Sequence, residues 1–184
     1  RIGMATAKGL AQGLAVPIIS IPTLLAMAYL ETGRPGLVCP LLNARREEVY
    51  TALFRVGSPP THHQPTHSPQ TNSQQMNSQQ MPELLEPYQA VDPKLWAEKL
   101  RTYEEPVLLC GDGAMDYQAI WQSILGDNAI SPAVPFLTAR GASVAWLGKE
   151  RLLHGEQDDL FTLKPMYIRS SEAQRKLAQV GQNC

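Results

Sequence analysis

PVLLCGDGAMDYQAIWQSIL, residues 106–125, passes from an unbroken apolar run through a pair of glycines into a helical pattern. PVLLCGDG (106–113) reads as a strand running into a glycine-rich turn. AMDYQAIWQSIL (114–125) reads as the helix that follows, with Ile120, Trp121 and Ile124 on its apolar side. A strand handed to a helix through a glycine turn is the repeating step of a layered α/β protein.

The neighbouring segments extend this pattern. Upstream, DPKLWAEKLRTY (92–103) is an amphipathic helix, with Asp92 suited to the N-cap and Pro93 to the first turn. LVCPLL (37–42) and VYTALFRV (49–56) read as strands, and the turn composition of NARREE between them predicts a hairpin. IISI (18–21) reads as a short buried strand. Pro22 and Thr23 then open a helix, TLLAMAYLE, which Gly33, Pro35 and Gly36 end. Downstream, PAVPFLTARGASVAWLGKERL (132–152) is helical after Pro135, and LKPMYIR (163–169) is extended. SSEAQRKLAQVG starts a terminal helix capped by Ser170 or Ser171. Residues 58–82 stand apart. They are Pro, Gln, Ser, Thr, Asn and His with NSQQM twice in succession, a composition that cannot offset the entropy of ordering. A disordered insertion separating the ordered regions on either side is expected there.

The 184 residues allow one domain or two small lobes. With 43% hydrophobic and 18% charged residues, the composition is that of a globular protein. A net charge of −1 supplies no basic field to hold nucleic acid unaided. No apolar run reaches the ~20 residues that span a bilayer, and Lys8 and Gln12 punctuate the apolar start, so it is not a signal peptide. Of three cysteines, Cys39 and Cys110 fall in strands and Cys184 ends the chain, with no CxxC spacing. Buried reduced thiols of a cytoplasmic protein are expected.

Residues 1–15 form a helix with almost no side suited to water. Ala5, Gly9 and Gly13 make a stripe of small residues, and Ala7, Leu10, Ala11 and Leu14 a bulkier one. Only Arg1, Thr6, Lys8 and Gln12 are polar. Each interior glycine costs roughly 1 kcal/mol relative to alanine, and close approach of another backbone is the usual compensation. Either the helix crosses the sheet of its own lobe, or one stripe faces the lobe and the other a partner. The partner surface expected is Ile2, Ala5, Gly9 and Gly13, with Lys8 and Gln12 toward its rim.

RIGMATAKGLAQGLAVPIISIPTL (1–24) resembles a segment of the TsaB family, non-proteolytic members of the glycoprotease-like proteins. NARREEVY (43–50), LLCGDGA (108–114) and PMYIRSSEAQRKL (165–177) resemble three further blocks, in family order and over nearly the whole chain. The residues that carry this likeness are Arg45, Glu48, Tyr50, Gly111, Gly113, Tyr167 and Arg169, with Asn43 where the family has aspartate. The resemblance implies an actin- and Hsp70-like (ASKHA) two-lobe α/β fold. Residues 1–35 would be what remains of an incomplete first lobe. Residues 36–169 would form the second lobe, a sheet flanked by helices, and 170–184 a C-terminal helix and tail. It also implies an N-terminally truncated chain, since the family's first strands and a G-P-G-S-F-T-G loop precede the R-I-G block.

The same resemblance implies an accessory subunit without a catalytic centre or a cofactor of its own. Its partners would be the catalytic sister TsaD and the ATPase TsaE, with ATP or ADP held by those proteins or at the joint interface. tRNA would be met only through the complex, and the same helix could make a homodimer. The rival reading is a glycoprotease-like metallo-hydrolase or an actin-like ATP-binding phosphotransferase. His63 and His67 have the H-x-x-x-H spacing of a helical metal site, but Pro65 lies between them in low-complexity sequence. His154 reads as a surface residue near a helix end. Backbone amides at Gly111 and Gly113 could cradle phosphate, although Asp112 would repel it. Arg45 and Arg46 could meet an acidic partner or pair with Glu47 and Glu48. No Ser-His-Asp or Cys-His set can be assembled from the ordered segments, and there is no P-loop.

Overall fold

The computed structural model describes residues 2–32, 35–57, 81–132 and 141–169. Its centre is the hairpin read from the sequence. Strand β1 (Gly36–Arg45) pairs antiparallel with β2 (Glu48–Val56), from Gly36↔Val56 to Arg45↔Glu48. Arg45, Arg46 and Glu47 all have positive φ, at 60°, 55° and 59°. Left-handed residues suit the right-handed twist of a two-residue hairpin turn, and a bulge between Asn43 and Arg45 sets the chain into it.

Strand β3 (Glu83–Val91) adds to β2 antiparallel, from Val49↔Val91 to Arg55↔Glu83. The sequence pattern announces no element there. Pro87 argues against a central strand, but β3 lies at the sheet edge, where a missing N–H is tolerated. β4 (Val107–Cys110) runs parallel to β1, and β5 (Ala129–Ile130) runs parallel to β4, giving the order β3-β2-β1-β4-β5. Residues 58–80 lie outside the described residues. Their flanks, β2 and β3, are sheet neighbours, so the insertion interrupts a hairpin and does not divide the chain into separate ordered units.

Alternation along β1 sends Leu37, Cys39 and Leu41 to one face and Val38 to the other. The first face carries α3 (Pro93–Arg101), α4 (Asp112–Asp116) and α5 (Gln118–Leu125). Trp96, Leu100 and Trp121 fill the core between them. Asp92 caps α3 as expected, accepting from the N–H groups of Lys94 and Leu95 at 2.7 and 3.3 Å. The second face carries α2 (Thr23–Tyr29), whose Leu24, Met27 and Ala28 meet Val38, Ala52 and Phe54. α2 thus packs on this sheet across the boundary placed at residue 35. α6 (Gly141–Leu153) packs on α2, with Leu147 fully buried. α1 (Ile2–Leu14) lies beyond, joined to the rest by residues 15–22.

Two expectations are corrected. IISI is not a strand. Ile18 makes a single bridge to Asp158, and Ser20 is taken up by the Asp158 side chain. The helix placed at 114–125 begins at Asp112 and breaks at Tyr117, whose φ of −114° and ψ of 25° end one helix and cap the next. Residues 163–169 join no strand ladder among the described residues, which an extended run does not require. The terminal helix and Cys184 lie outside the described residues.

Candidate functional site

Three of the sequence blocks meet where β1 and β4 end. Gly111 leaves β4 at φ 104°, ψ 177°, and a Cβ there would sit 2.2 Å from the Leu41 carbonyl oxygen. Only glycine passes this close to a neighbouring strand. The turn delivers Asp112, whose Oδ1 accepts from the N–H groups of Gly113 and Asn43, both at 2.9 Å. The Gly113 amide therefore already faces a carboxylate, which leaves the turn ill suited to a phosphate. Asn43 closes the network. Its Oδ1 accepts from the Arg45 N–H at 2.7 Å, and its Nδ2 donates to Asp116 Oδ2 at 2.6 Å.

The amide therefore holds the turn through oxygen, as a carboxylate would, and also donates where a carboxylate could not. Asn43→Asp places two carboxylates in contact and should destabilise the protein by about 1 kcal/mol at pH 7. Repulsion raises the folded-state pKa of the pair, so the penalty is absent below the unfolded value near ~3.9 and grows as pH rises through the raised one. Chemical denaturation of both proteins at pH 7 and pH 3.5 checks this. An equal difference at the two pH values would contradict it.

Arg169 returns from the C-terminal strap, residues 154–169, to the same hairpin. Its Nη2 is 2.9 Å from Glu48 Oε2, and its Nη1 reaches the Ala44 carbonyl at 3.5 Å. Among the described residues no donor is aligned for a hydrogen bond to that buried Glu48 oxygen, and the contact with Arg169 is ionic. Tyr50 and Tyr167 line a cleft beside the pair. Arg45 is exposed at the hairpin tip. The seven motif residues therefore gather around one hairpin, although they come from distant stretches of the chain.

α1 is the second feature. Ala11 is its one buried residue; Ile2, Leu10 and Leu14 are 86%, 60% and 68% exposed. A Cβ added at Gly9 or Gly13 would meet nothing within 4 Å, so the two glycines of the stripe face open space among the described residues. Ala5 and Gln12 are exposed with it. Lys8 is placed differently. It turns toward the strap and donates to the carbonyls of Phe161 and Leu163 at 3.3 and 3.2 Å, instead of rimming the stripe.

The strap's other anchor has no sequence signature. Asp158 Oδ2 accepts from Ser20 N–H at 2.5 Å and Ser20 Oγ–H at 2.7 Å, and Arg151 donates to the Ser20 carbonyl at 2.8 Å. The Ser20 hydrogen bonds, with Arg151 nearby, hold the Asp158 carboxyl below its ordinary range. No local pattern ties residue 20 to residue 158, so nothing in the sequence announces the pair.

Against known proteins, residues 1–176 match the family described as TsaD, tRNA N6-adenosine threonylcarbamoyltransferase. The chain is 30% identical over 176 residues to the tRNA threonylcarbamoyladenosine biosynthesis protein TsaB of Bacillus subtilis (strain 168). The chain is a TsaB-like member of this family. The alignment takes in 96% of this chain and 66% of that relative. Two solved structures from Pseudomonas aeruginosa share the fold. One, a protein with similarity to the peptidase YEAZ, has a TM-score of 0.66 and 17% identity, covering 92% of this chain and 67% of its own. The other, YeaZ, has a TM-score of 0.60 and 18% identity, covering 91% and 67%. The TsaB-like chain thus has the expected actin- and Hsp70-like α/β fold.

Several chemical groups remain to be placed in the TsaB-like chain. His63 and His67 lie outside the described residues. His154 is exposed one residue past α6, its Nδ1 2.8 Å from the Glu150 carbonyl oxygen. Among the described residues, no three His, Cys, Asp or Glu side chains are grouped to hold a metal ion. Cys39 and Cys110 are free and buried. Burial raises both thiols, Cys39 to about 11, so neither offers a thiolate nucleophile at neutral pH. Among the described residues, no helix is long and apolar enough to cross a membrane.

Proposed function

We propose that the chain is a non-catalytic accessory subunit in the threonylcarbamoyl-adenosine modification of tRNA next to the anticodon. It acts in the cytoplasm by pairing with the catalytic sister TsaD through α1. The support from sequence is the family match and the TsaB relative. The observation that carries the reading is α1 itself, a 13-residue helix with a single buried residue and an open small-residue stripe. Exposed apolar surface of this extent marks an interaction site, and a glycine stripe lets a second helix come close. TsaE and tRNA join through the complex, and a homodimer is the alternative use of the same face.

Gly9→Leu tests the proposal. A Cβ at this position meets nothing within 4 Å among the described residues, and replacing a helical glycine gains roughly 1 kcal/mol of helix propensity. The variant should melt at or above the parent temperature and yet fail to co-purify with co-expressed TsaD. Recovery of TsaD at parent levels would overturn the proposed interface.

A further inference from the structure

A cleft of about 510 Å³ opens between α1, residues 20–24, the ends of β1, β2 and β3, and the strap at 164–169. That is room for a small organic molecule. None of the glycine-turn residues 110–113 lines it, so it is separate from that turn.

Its walls have a consistent chemistry. Tyr50, Tyr88 and Tyr167 come from three different elements, and Met4 and Met166 add polarisable side chains. Tyr88 is fixed in place, its ring edge-on to Phe54 at 6.1 Å. Among the described residues no carboxylate lines the cleft, whereas Lys164 and Arg169 do. Among the described residues, the carboxylates of Glu48 and Asp158 reach lining residues from outside, and both are engaged. Glu48 pairs with Arg169, and Asp158 takes the Ser20 hydrogen bonds beside Arg151. Lys164 is exposed and makes no ion pair among the described residues. Aromatic faces next to an uncompensated cation select a planar ring that carries negative charge.

We infer that this cleft binds a small aromatic anion, a planar ring joined to a phosphate or a carboxylate, with the ring among the three tyrosines and the anion at Lys164. The inference does not depend on α1 docking to a partner. It is tested on the full 184-residue chain by calorimetry with adenosine 5′-monophosphate, indole-3-acetate, adenosine and inorganic phosphate. One or both aromatic anions should bind one-to-one, and the tighter of the two identifies the anionic group. Adenosine and phosphate should each bind at least about tenfold more weakly, the ratio set by losing one charge-assisted hydrogen bond or one stacked ring.

Lys164→Ala should weaken the better anion about tenfold and leave adenosine unchanged, and Tyr167→Ala should weaken both. Lys164 and Tyr167 are exposed, and a thermal melt of each variant controls for folding. Failure of both aromatic anions to bind at millimolar concentration would overturn the inference, as would binding that neither substitution alters.

Discussion

Gly111→Ala is expected to abolish the folded protein. Its backbone, at φ 104° and ψ 177°, occupies a region open in practice only to glycine. The new methyl would lie 2.2 Å from the Leu41 carbonyl oxygen and 2.9 Å from Met27 Cε. The Met27 end can swing away. The Leu41 carbonyl belongs to β1, which is held on both sides by β2 and β4, and it cannot. Strain and clash together exceed about 4 kcal/mol, a large fraction of a domain's stability. Circular dichroism of the purified variant should show no cooperative melt. A midpoint within a few degrees of the parent would show that β1 yields more readily than its pairing indicates.

The second large effect is at Trp121. This side chain is 1% exposed between α5 and the sheet, and its Nε1–H donates to the Gly113 carbonyl at 3.2 Å. Trp121→Ala removes the packing and the bond, and should cost about 3–5 kcal/mol. Trp121→Phe keeps most of the ring and should cost about 1–2 kcal/mol, largely from the Gly113 carbonyl left without its donor. Urea titration of both variants separates the two contributions. If Trp121→Phe costs as much as Trp121→Ala, the hydrogen bond matters more than the cavity.

Local chemistry accounts for what was legible in the sequence. The cap at Asp92, the buried run at 107–110, the hairpin and the helix at 2–14 each rest on neighbours a few residues apart, so their signals survive without tertiary context. β3 was hidden because Pro87 is acceptable only at an edge, and edge position is a property of the assembled sheet. IISI has strand composition, but a strand needs a partner, and among the described residues only Asp158 is offered. At the candidate site, the stripe of Ala5, Gly9 and Gly13 could be counted off a helical period. The inward turn of Lys8 could not, because the carbonyls that draw it lie more than 150 residues away. Glycines 111 and 113 announced a turn, while the donor role of Asn43 depended on where Asp116 would come to rest.

The pairing of Arg55 with Glu83 bears on how this protein can be handled in the laboratory. The chain leaves and re-enters the sheet at adjacent points, and lengthening a connection between adjacent points costs only about 0.6 kcal/mol of closure entropy per doubling. A fluorescent reporter or affinity module could be grafted between Gly57 and Met81, at the far end of β2 from the Arg45–Glu48 hairpin. That junction gives an attachment point away from the hairpin around which the motif residues gather.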